Sequence, residues 1–305
     1  MADTSKTQLA YIAETVYGTT PATPVFKLMR FTNENILPNV QYLTSDEIRP
    51  DRNVPDLTQV GGDAGGDIGL EMSYGSFDDF IEALLGGTWA TNVLKNDVTE
   101  RSFTIEKKFE TGVTDQYHRL TGARVNTFNL RMAAREKITG SFGLMGKTVS
   151  TGTTAISGAT YTAANTNPIM NAASMFQTLT MSGITNPELL SLDLNITNNM
   201  RQQPVMGQIG SKGVGAGRFE VNGSFEAYFA NSEIVDAYVN NTATTLNFTI
   251  GGTSSLKYAL AMAKVKFSGV EVSTPGNDQD VIARVNFQAY YDATEAASLK
   301  ITRTP

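Results

Sequence analysis

Apolar and polar residues alternate along most of the chain, which is the period expected for β-strands that bury one face. The alternation recurs from one end of the sequence to the other and predicts a mainly β protein with antiparallel strands. The clearest alternating sets are Ile68, Leu70, Met72 and Tyr74; Phe128, Leu130 and Met132; Ile138, Gly140, Phe142 and Leu144; Leu190, Leu192, Leu194 and Ile196; Phe219, Val221, Gly223 and Phe225; Leu246, Phe248 and Ile250; and Val281, Ala283, Val285, Phe287 and Ala289.

Two short segments have instead the 3.6-residue period of an amphipathic helix. The first, 76–85, begins with a pair that resembles a capping box, Ser76 and Asp79. The second, 231–239, begins with Asn231 as a cap. Residues that commonly end helices follow both segments: Gly86 and Gly87, and Asn240 and Asn241.

Strand and helix follow each other in the same order twice. Ile68 and Phe219, in the strands before the helices, are 151 residues apart, and Phe80 and Ile234, in the helices, are 154 apart. A repeat of about 150 residues indicates two domains of one fold in tandem, each with one short helix. Three such chains would close the ring that six single-domain chains would form.

The predicted boundary lies in a stretch without charged residues. From Thr148 to Pro187 the chain contains no Asp, Glu, Lys or Arg. We therefore divide it into a first domain at 1–147, an uncharged Thr, Ala and Ser-rich connector at 148–187 that is partly packed, and a second domain at 188–305.

The composition excludes several classes of protein. In 305 residues, 24 basic and 30 acidic side chains give a net charge of −6, and neither half is basic, which argues against a nucleic-acid-binding surface. Without Cys there are no disulfides, thiolate metal sites or Cys nucleophiles, which suits a reducing cytoplasm. A single His, His118, excludes most histidine-based catalysis. Neither a secretory signal nor a run of about 18 apolar residues is present.

Charge is uneven within the first half. Residues 46–82 contain ten acids and two bases, whereas residues 95–147 contain ten bases and six acids. Two interpretations remain open: these side chains are solvated on loops and strand faces, or an acidic patch on one copy meets a basic patch on its neighbour.

Several motifs resemble chemical sites, and for each of them a structural role is favoured. The stretch 61–70 resembles one copy of a calcium-binding nonapeptide, but one copy is too few, and a flexible loop entering a strand is expected. The stretch 213–217 resembles a phosphate loop but lacks the following Lys, so a turn cluster is expected. Two pairs of acids, Asp78 with Asp79 and Asp278 with Asp280, resemble the paired carboxylates of a glycosidase. Trp89 is expected to anchor a turn rather than to stack on a ligand.

Strings along nearly the whole chain resemble the major tail tube proteins of long-tailed bacteriophages, in an internally duplicated form. They are Ala10 to Pro24, Leu28 to Thr32, Thr44 to Arg52, Gly66 to Ile68, Ser73 to Asp79, Gly217 to Val221, Phe267 to Gly269, and Gly276 to Val281.

The resemblance implies two tandem tail-tube-type β-sandwich or β-barrel-like domains, each with a helix packed on the sheets. Subunits of that family pair their inner sheets around a lumen, and their rings stack through a long loop and terminal arms. The matching loop here is about 42–66, and its two arginines are candidates for ion pairs between rings. The implied inter-ring contact residues are Asp46, Glu47, Arg49, Asp51, Arg52 and Asp56.

The resemblance also implies a function: a non-enzymatic structural protein of the virion that polymerises as stacked rings into the tail tube, a conduit for genome delivery. No catalytic residue, metal or cofactor is expected. The implied partners are further copies, with a ring of three chains favoured and six possible, a tape-measure protein and a tail terminator. Viral DNA would pass the lumen without specific binding, and the host cytoplasm would hold the subunit before it joins the virion tail. The alternatives are a carbohydrate-binding β-module on the virion surface and, more remotely, a hydrolase that uses the acid pairs.

Overall fold

The computed structural model describes residues 3–274 and 276–305. Met1 and Ala2, in the N-terminal stretch searched for a signal, and Pro275, beside the acid pair of the 274–280 hairpin, lie outside the described residues. The described chain forms twenty strands and two α-helices, which confirms the prediction of a mainly β fold.

The elements are numbered in chain order. Strands β1 to β10 are Thr7–Ala13, Val25–Leu28, Asn33–Glu34, Leu37–Thr44, Leu57–Glu71, Val93–Lys95, Phe103–Phe109, Gln116–Ala133, Thr139–Gly146 and Thr148–Gly152. Strands β11 to β20 are Thr160–Thr162, Phe176–Thr180, Leu189–Thr197, Arg201–Gln203, Gly213–Gly215, Glu220–Tyr228, Thr244–Gly251, Lys257–Ser273, Ile282–Ala289 and Lys300–Thr304. Helix α1 is Asp78–Leu85, helix α2 is Glu233–Val239, and a 3₁₀ turn is formed by Thr4–Lys6.

Eight strands form one continuous antiparallel sheet, which we call the central sheet. Their order is β4-β5-β9-β8-β13-β16-β19-β18. The long strands β8 and β18 continue into two further layers, the first outer sheet, β11-β2-β1-β7-β8-β10, and the second outer sheet, β12-β17-β18-β20-β6. One apolar core lies between the layers and extends through both halves of the chain.

The order of pairing is the same in the two halves. The first part of β8 pairs with β7 and β10 and its second part with β9, while β18 pairs in the same way with β17, β20 and β19. Both long strands have a bulge where the second pairing begins, between Val125 and Thr127 in β8 and between Phe267 and Gly269 in β18. These bulges fix which positions of the two halves correspond.

This correspondence differs from the spacing inferred from the sequence, which matched Ile68 with Phe219. Ile68 lies opposite Phe142 in β9. The position of β19 that corresponds to Phe142 is Val285, and the residue opposite Val285 is Phe225. The match is therefore displaced by six residues. A displacement by an even number of residues leaves a period-two pattern unchanged, so alternation alone could not detect it.

Helix α1 begins later than the sequence predicts. Its N-cap is Phe77, which makes no capping side-chain bond, so the prediction of a capping box at Ser76 and Asp79 is wrong. The Ser76 hydroxyl is instead hydrogen-bonded to the hydroxyl of Ser73, at 2.7 Å between the oxygens. The predicted end is confirmed: Gly86 is in the left-handed conformation, with φ of 61°.

Helix α2 also begins later than predicted, by one residue. Its N-cap is Ser232, and the predicted cap Asn231 lies just outside the helix. The Asn231 side-chain oxygen nevertheless accepts a hydrogen bond from the Glu233 backbone N–H at 3.0 Å, so it satisfies one donor of the first turn. The helix ends at Asn240 as predicted.

The uncharged segment 148–187 carries strands of both outer sheets. Strand β10 pairs with β8, β11 pairs in parallel with β2, and β12 pairs with β17. Between them, Met170 is buried, and its backbone bonds to Met72 and Ile138 at 2.8 and 2.9 Å. Low charge here accompanies packing on other strands.

The Gly-rich stretch 61–70 lies inside strand β5, which has β4 on one side and β9 on the other. The expectation of a flexible loop is therefore wrong at this place. Glycine is required by close approach: a Cβ on Gly65 would lie 2.5 Å from the backbone oxygen of Leu144. In the described ranges no group of three or more His, Asp or Glu side chains could hold a metal ion.

Candidate assembly interfaces

One face of the central sheet covers the core, and the other presents small polar side chains. Because side chains alternate along each strand, every residue between two core positions points to this second face. It carries many amides and hydroxyls, among them Thr127, Asn129, Ser141, Asn195, Asn222, Ser224, Asn286 and Gln288. Such side chains offer no apolar patch to a passing molecule.

Carboxylates outnumber basic side chains among the strand residues of this polar face, and Lys137 and Arg218, just outside the strands, pair with Glu71 and Glu220. Some are paired across strands: Arg284 Nε lies 2.8 Å from Glu226 Oε1, and Arg131 Nη1 lies 3.9 Å from Asp193 Oδ1. A surface of this kind repels a polyanion weakly. The carboxylates are Asp63, Asp67, Glu71, Asp193, Glu220, Glu226 and Glu271, and the basic residues are Arg124, Arg131, Lys266 and Arg284.

The central sheet ends in two open edges. Within residues 3–274 and 276–305, β4 pairs only with β5, and the second part of β18 pairs only with β19. All of β4 is exposed to solvent, including the apolar side chains of Leu37, Tyr42 and Leu43. An exposed apolar edge strand is a template for pairing with another chain.

The two halves of the chain meet at a joint inside the central sheet, where β8 pairs antiparallel with β13. The register runs from Thr127 opposite Thr197 to Ala133 opposite Ser191. Core residues of the two halves lie opposite each other there, with Leu130 facing Leu194. This internal joint is the observed way in which one half attaches to the other.

Helix α1 closes the internal joint on the core side. Leu84 and Leu85 are each 1% exposed, and with Ile81 they line the same small apolar cavity as Leu260 and Ile301 of the second outer sheet. The helix of the first half is therefore buried against the sheet of the second half.

Charged and phenolic groups anchor the start of α1 to the second half. Asp78 Oδ2 lies 2.6 Å from Arg303 Nη1, and Asp78 Oδ1 accepts a hydrogen bond from the Tyr258 hydroxyl. Burial and the Asp78 carboxylate raise the pKa of Tyr258 far above its ordinary value. The Arg303 guanidinium also covers the ring of Trp89, at 4.4 Å from the ring centre, so this tryptophan packs at the turn after the helix.

The second carboxylate of this pair holds elements of the first half. Asp79 Oδ2 accepts a hydrogen bond from the Tyr11 hydroxyl at 3.0 Å and lies 2.6 Å from Lys27 Nζ. Both members of the acid pair therefore have structural partners.

The long loop between β4 and β5, residues 45–56, contains the six residues predicted to contact another ring. Arg49 and Asp51 form a two-bond ion pair within the loop, at 3.1 and 3.0 Å, which lowers the pKa of Asp51 below its ordinary value. Asp56 accepts hydrogen bonds from the Leu57 N–H and the Thr58 hydroxyl at 2.8 and 3.0 Å.

The other predicted contact residues of the long loop are exposed. Asp46, Glu47 and Arg52 have no salt-bridge partner in the part of the chain that the structure describes. Arg52 has a φ of 59°, in the left-handed region. The loop thus presents charge of both signs to solvent.

The β13–β16 loop, residues 198–219, occupies the corresponding place in the second half but folds back on the first half. Its hairpin, β14 with β15, contacts β9, and the residues just before β15 contact β5. Ser211 donates a hydrogen bond to Asp63 at 2.8 Å, and Arg124 donates one to the backbone oxygen of Val214 at 2.7 Å. The expected turn cluster at 213–217 is therefore in part a strand.

A family model described as "Phage tail tube protein" matches residues 4–289. The chain belongs to this family. No curated protein matches the chain significantly. Family membership explains the two open edges of the central sheet. A tail tube is built from many copies of one subunit, and the open edges are surfaces on which copies can meet.

Membership confirms the predicted function of a structural tail tube protein, located in the virion tail, that assembles into a tube. The family is a structural one and not an enzyme family. The carbohydrate-binding alternative receives no support from the match. No helix within the described residues has the length and apolar character needed to cross a membrane.

Sequence reasoning missed the residues at the internal joint of this tail tube protein. Neither Arg303 nor Tyr258 had a motif that marked it, because their partner Asp78 is more than 170 residues away in the chain. The loop 198–219 offered one weak signal, the apolar residue Ile209, whose backbone oxygen accepts a hydrogen bond from the Gly62 N–H at 2.9 Å.

Proposed function

We propose that three copies of this chain close a ring with six similar units and that such rings stack into the tail tube. The observation that supports it most directly is the internal joint together with the two open edges. The edge formed by the second part of β18 corresponds to β8, and the edge formed by β4 corresponds to β13. Inside the chain, β8 and β13 already pair with each other. A heterologous contact of this type generates a ring when the rotation closes.

The six units would arise from an internal duplication. The shared pairing order and the two corresponding bulges support it. We propose the division 1–147, 148–187 and 188–305, in which the ends of the middle segment join the outer sheets of the two units.

The internal joint provides a register for the contact between copies. Each residue pair of the internal joint has corresponding positions in or beside β4 and in the second part of β18. The same pairing at these positions places residues 35–39 of one copy antiparallel to residues 269–273 of the next, with Leu37 opposite Glu271. The same register places the buried Ile36 opposite Val272 on the core side, as Leu194 faces Leu130 inside the chain. Pro38 lacks an N–H, which weakens this edge and guards it against indiscriminate pairing.

The polar face of the central sheet would line the lumen of the ring. Its excess of carboxylates and its amides give DNA neither a basic track nor an apolar surface, so the genome would pass without specific binding. We assign this subunit a structural role alone, without a catalytic step.

The remaining contacts concern the ends of the ring. We propose that the loop 45–56 reaches the next ring, with Arg49 and Arg52 meeting carboxylates of its partner and with Asp46, Glu47, Asp51 and Asp56 completing the charge pattern. A tape-measure protein and a tail terminator would bind inside and at the end of the tube. Before assembly the subunit would be held in the host cytoplasm.

Mass photometry and electron microscopy of the purified protein test the ring. The expected particles contain three chains, and their averaged images show six similar lobes around a channel. Rings of six chains would overturn the stoichiometry. A protein that stays monomeric at high concentration, and is absent from purified virions, would overturn the proposed function.

The register has a separate test, since the chain contains no cysteine of its own. One chain with Leu37→Cys, mixed with one with Glu271→Cys, is expected to form disulfide-linked dimers on mild oxidation during assembly. Asn39→Cys mixed with Ser273→Cys serves as the control, because the register places these positions four residues apart, roughly 13 Å. Efficient linkage of the control pair alone would overturn the register.

A further inference from the structure

We propose that helix α2 of one copy docks on the first outer sheet of the next copy, in the way α1 docks on the second outer sheet inside the chain. This inference rests on the proposed ring, because it carries the internal joint over to the joint between copies. It assigns a partner to a helix face that is largely exposed and to a sheet face that the described chain covers only in part, where Lys107 pairs with Glu34.

One face of helix α2 is largely exposed where the same face of α1 is buried. When the two helices are aligned at their C-caps, Gly86 and Asn240, Phe80 of α1 corresponds to Ile234 of α2, and both are buried. The residues that α1 turns toward the joint, Ile81, Leu84 and Leu85, are 3%, 1% and 1% exposed. Their counterparts in α2 are Val235, which is partly exposed, and Tyr238 and Val239, which are 41% and 71% exposed.

The sheet face is the second observation. In the second outer sheet Leu260 lies between Phe248 and Ile301, all three buried. At the corresponding positions of the first outer sheet, His118 lies between Lys107 and Thr151, and none of these is buried.

An aromatic side chain lies beside this sheet face. Phe109 corresponds to the buried Ile250 but is partly exposed. The Lys107 ammonium lies 4.6 Å from the centre of the Phe109 ring, and the His118 ring contacts its edge at 5.1 Å between centres. The lysine, whose ammonium also pairs with Glu34, therefore covers part of the Phe109 ring and leaves the rest partly exposed.

The side chains at the proposed joint between copies differ from those at the internal joint, because the two joints form at different stages. The internal joint forms once, during folding, and is lined by Leu and Ile. The joint between copies is exposed to water until assembly, and Tyr, Val, His and Thr combine apolar contact with tolerance of solvent. The anchor at the start of the helix also differs, because the first residue of α2, Glu233, accepts hydrogen bonds from Thr185 of its own half, whereas Asp78 of α1 pairs with Arg303.

Chemical cross-linking tests the contact directly. A chain with Val239→Cys and a chain with Thr151→Cys are mixed, assembled and treated with a short bifunctional maleimide. We expect cross-linked dimers in the mixture and none from either variant alone. Ser150→Cys replaces Thr151→Cys in the control, because Ser150 is the exposed neighbour on the opposite face of the same strand.

The outcomes separate this inference from the proposed function. Rings that form normally, with linkage no stronger for Thr151→Cys than for Ser150→Cys, would overturn the docking of α2 and leave the ring proposal standing. A wild-type chain that never assembles would overturn both.

A charge substitution gives a second measurement. Val239→Lys is expected to raise the protein concentration needed for ring formation at least tenfold, because it places a second ammonium group against a face that already carries Lys107. It should not lower the melting temperature of the monomer, since Val239 is 71% exposed there and a cation is tolerated at a helix C-terminus. Val98→Lys is the matched control, as Val98 is 89% exposed and lies outside the proposed contact. Equal effects of the two variants would contradict the proposal.

Discussion

The two helices occupy corresponding places in the two halves of the chain, yet only one of them is covered. In α1, Leu84 and Leu85 are buried against the outer sheet of the second half. In α2, Tyr238 and Val239 are open to solvent. The same local pattern therefore produced a core element in one half and an exposed surface in the other.

The difference shows how a repeated unit separates folding from assembly. A joint inside one chain benefits from covalent connection, so its burial stabilises the fold. A joint between chains must leave the separate subunit soluble, and large apolar patches would promote uncontrolled association. The side chains at the two joints differ accordingly, and substitutions can measure that difference.

The largest effect on stability is expected at the buried helix face. Leu84→Ala should lower the free energy of unfolding by about 3 kcal/mol, because it removes buried methyl groups and leaves a cavity. Tyr238→Ala, at the corresponding position of α2, should change it by less than about 0.5 kcal/mol, as is usual for exposed sites. Urea unfolding of the monomer measures both, and equal losses would abolish the contrast between the helices.

A smaller effect is expected at the charged anchor of the internal joint. Asp78→Asn should cost about 2 kcal/mol, because Arg303 loses its ionised hydrogen-bond partner. Asp278→Asn, in the exposed hairpin of the second half, should leave the unfolding free energy unchanged. Thermal unfolding of the two variants measures this difference. The hydrolase interpretation makes a separate prediction, that either substitution abolishes an enzymatic activity.

A still smaller effect is expected where β20 meets β6. Glu295 lies 2.6 Å from Lys300 Nζ and 3.1 Å from Lys95 Nζ, and these ammonium groups lower its pKa below the ordinary 4.5. Since the pKa is lower in the folded state, this contribution is complete above the unfolded value and disappears as the pH falls through the folded value. These side chains are partly exposed, so we expect only about 0.5 kcal/mol.

The measurement for Glu295 is a comparison of two proteins at two pH values. Glu295→Gln should be slightly less stable than wild type in urea at pH 7, and the difference should be smaller at pH 3, which lies below the unfolded pKa. A difference as large at pH 3 as at pH 7 would show that the contribution does not come from the ionised carboxylate.

The smallest effect on unfolding is expected in the long loop, where assembly rather than stability should respond. The double variant Arg49→Glu with Arg52→Glu should keep its melting temperature and its rings but form shorter tubes. Lys212→Glu, in the loop that folds back on its own chain, is the control and should leave tube length unchanged. Normal tubes from the double variant would count against a role of loop 45–56 in stacking.

Much of the fold could be predicted from the sequence, because local patterns carry it. Alternation located the strands around Ile68, Phe142 and Phe225, and the 3.6-residue period of 76–85 located α1. The family followed from strings of residues along the chain. What failed locally was fine detail, such as the cap of α1, where Ser76 is hydrogen-bonded to Ser73 instead of the helix.

The candidate interfaces were harder to predict, because they depend on contacts between distant residues. Asp78 finds Tyr258 and Arg303, and Asp63 finds Ser211, through the pairing of whole sheets. No local spacing in the sequence encodes such pairs, since their members are 148, 180 and 225 residues apart.

The sequence by itself determined the strand content, the two helices, the family and the absence of Cys chemistry. Only the tertiary structure decided the register between the halves, because a period-two pattern looks the same after any even shift. It also decided which amphipathic face is covered. Amphipathicity says that a face will be buried, whereas the arrangement of the sheets settles whether the chain itself or another copy is available to bury it.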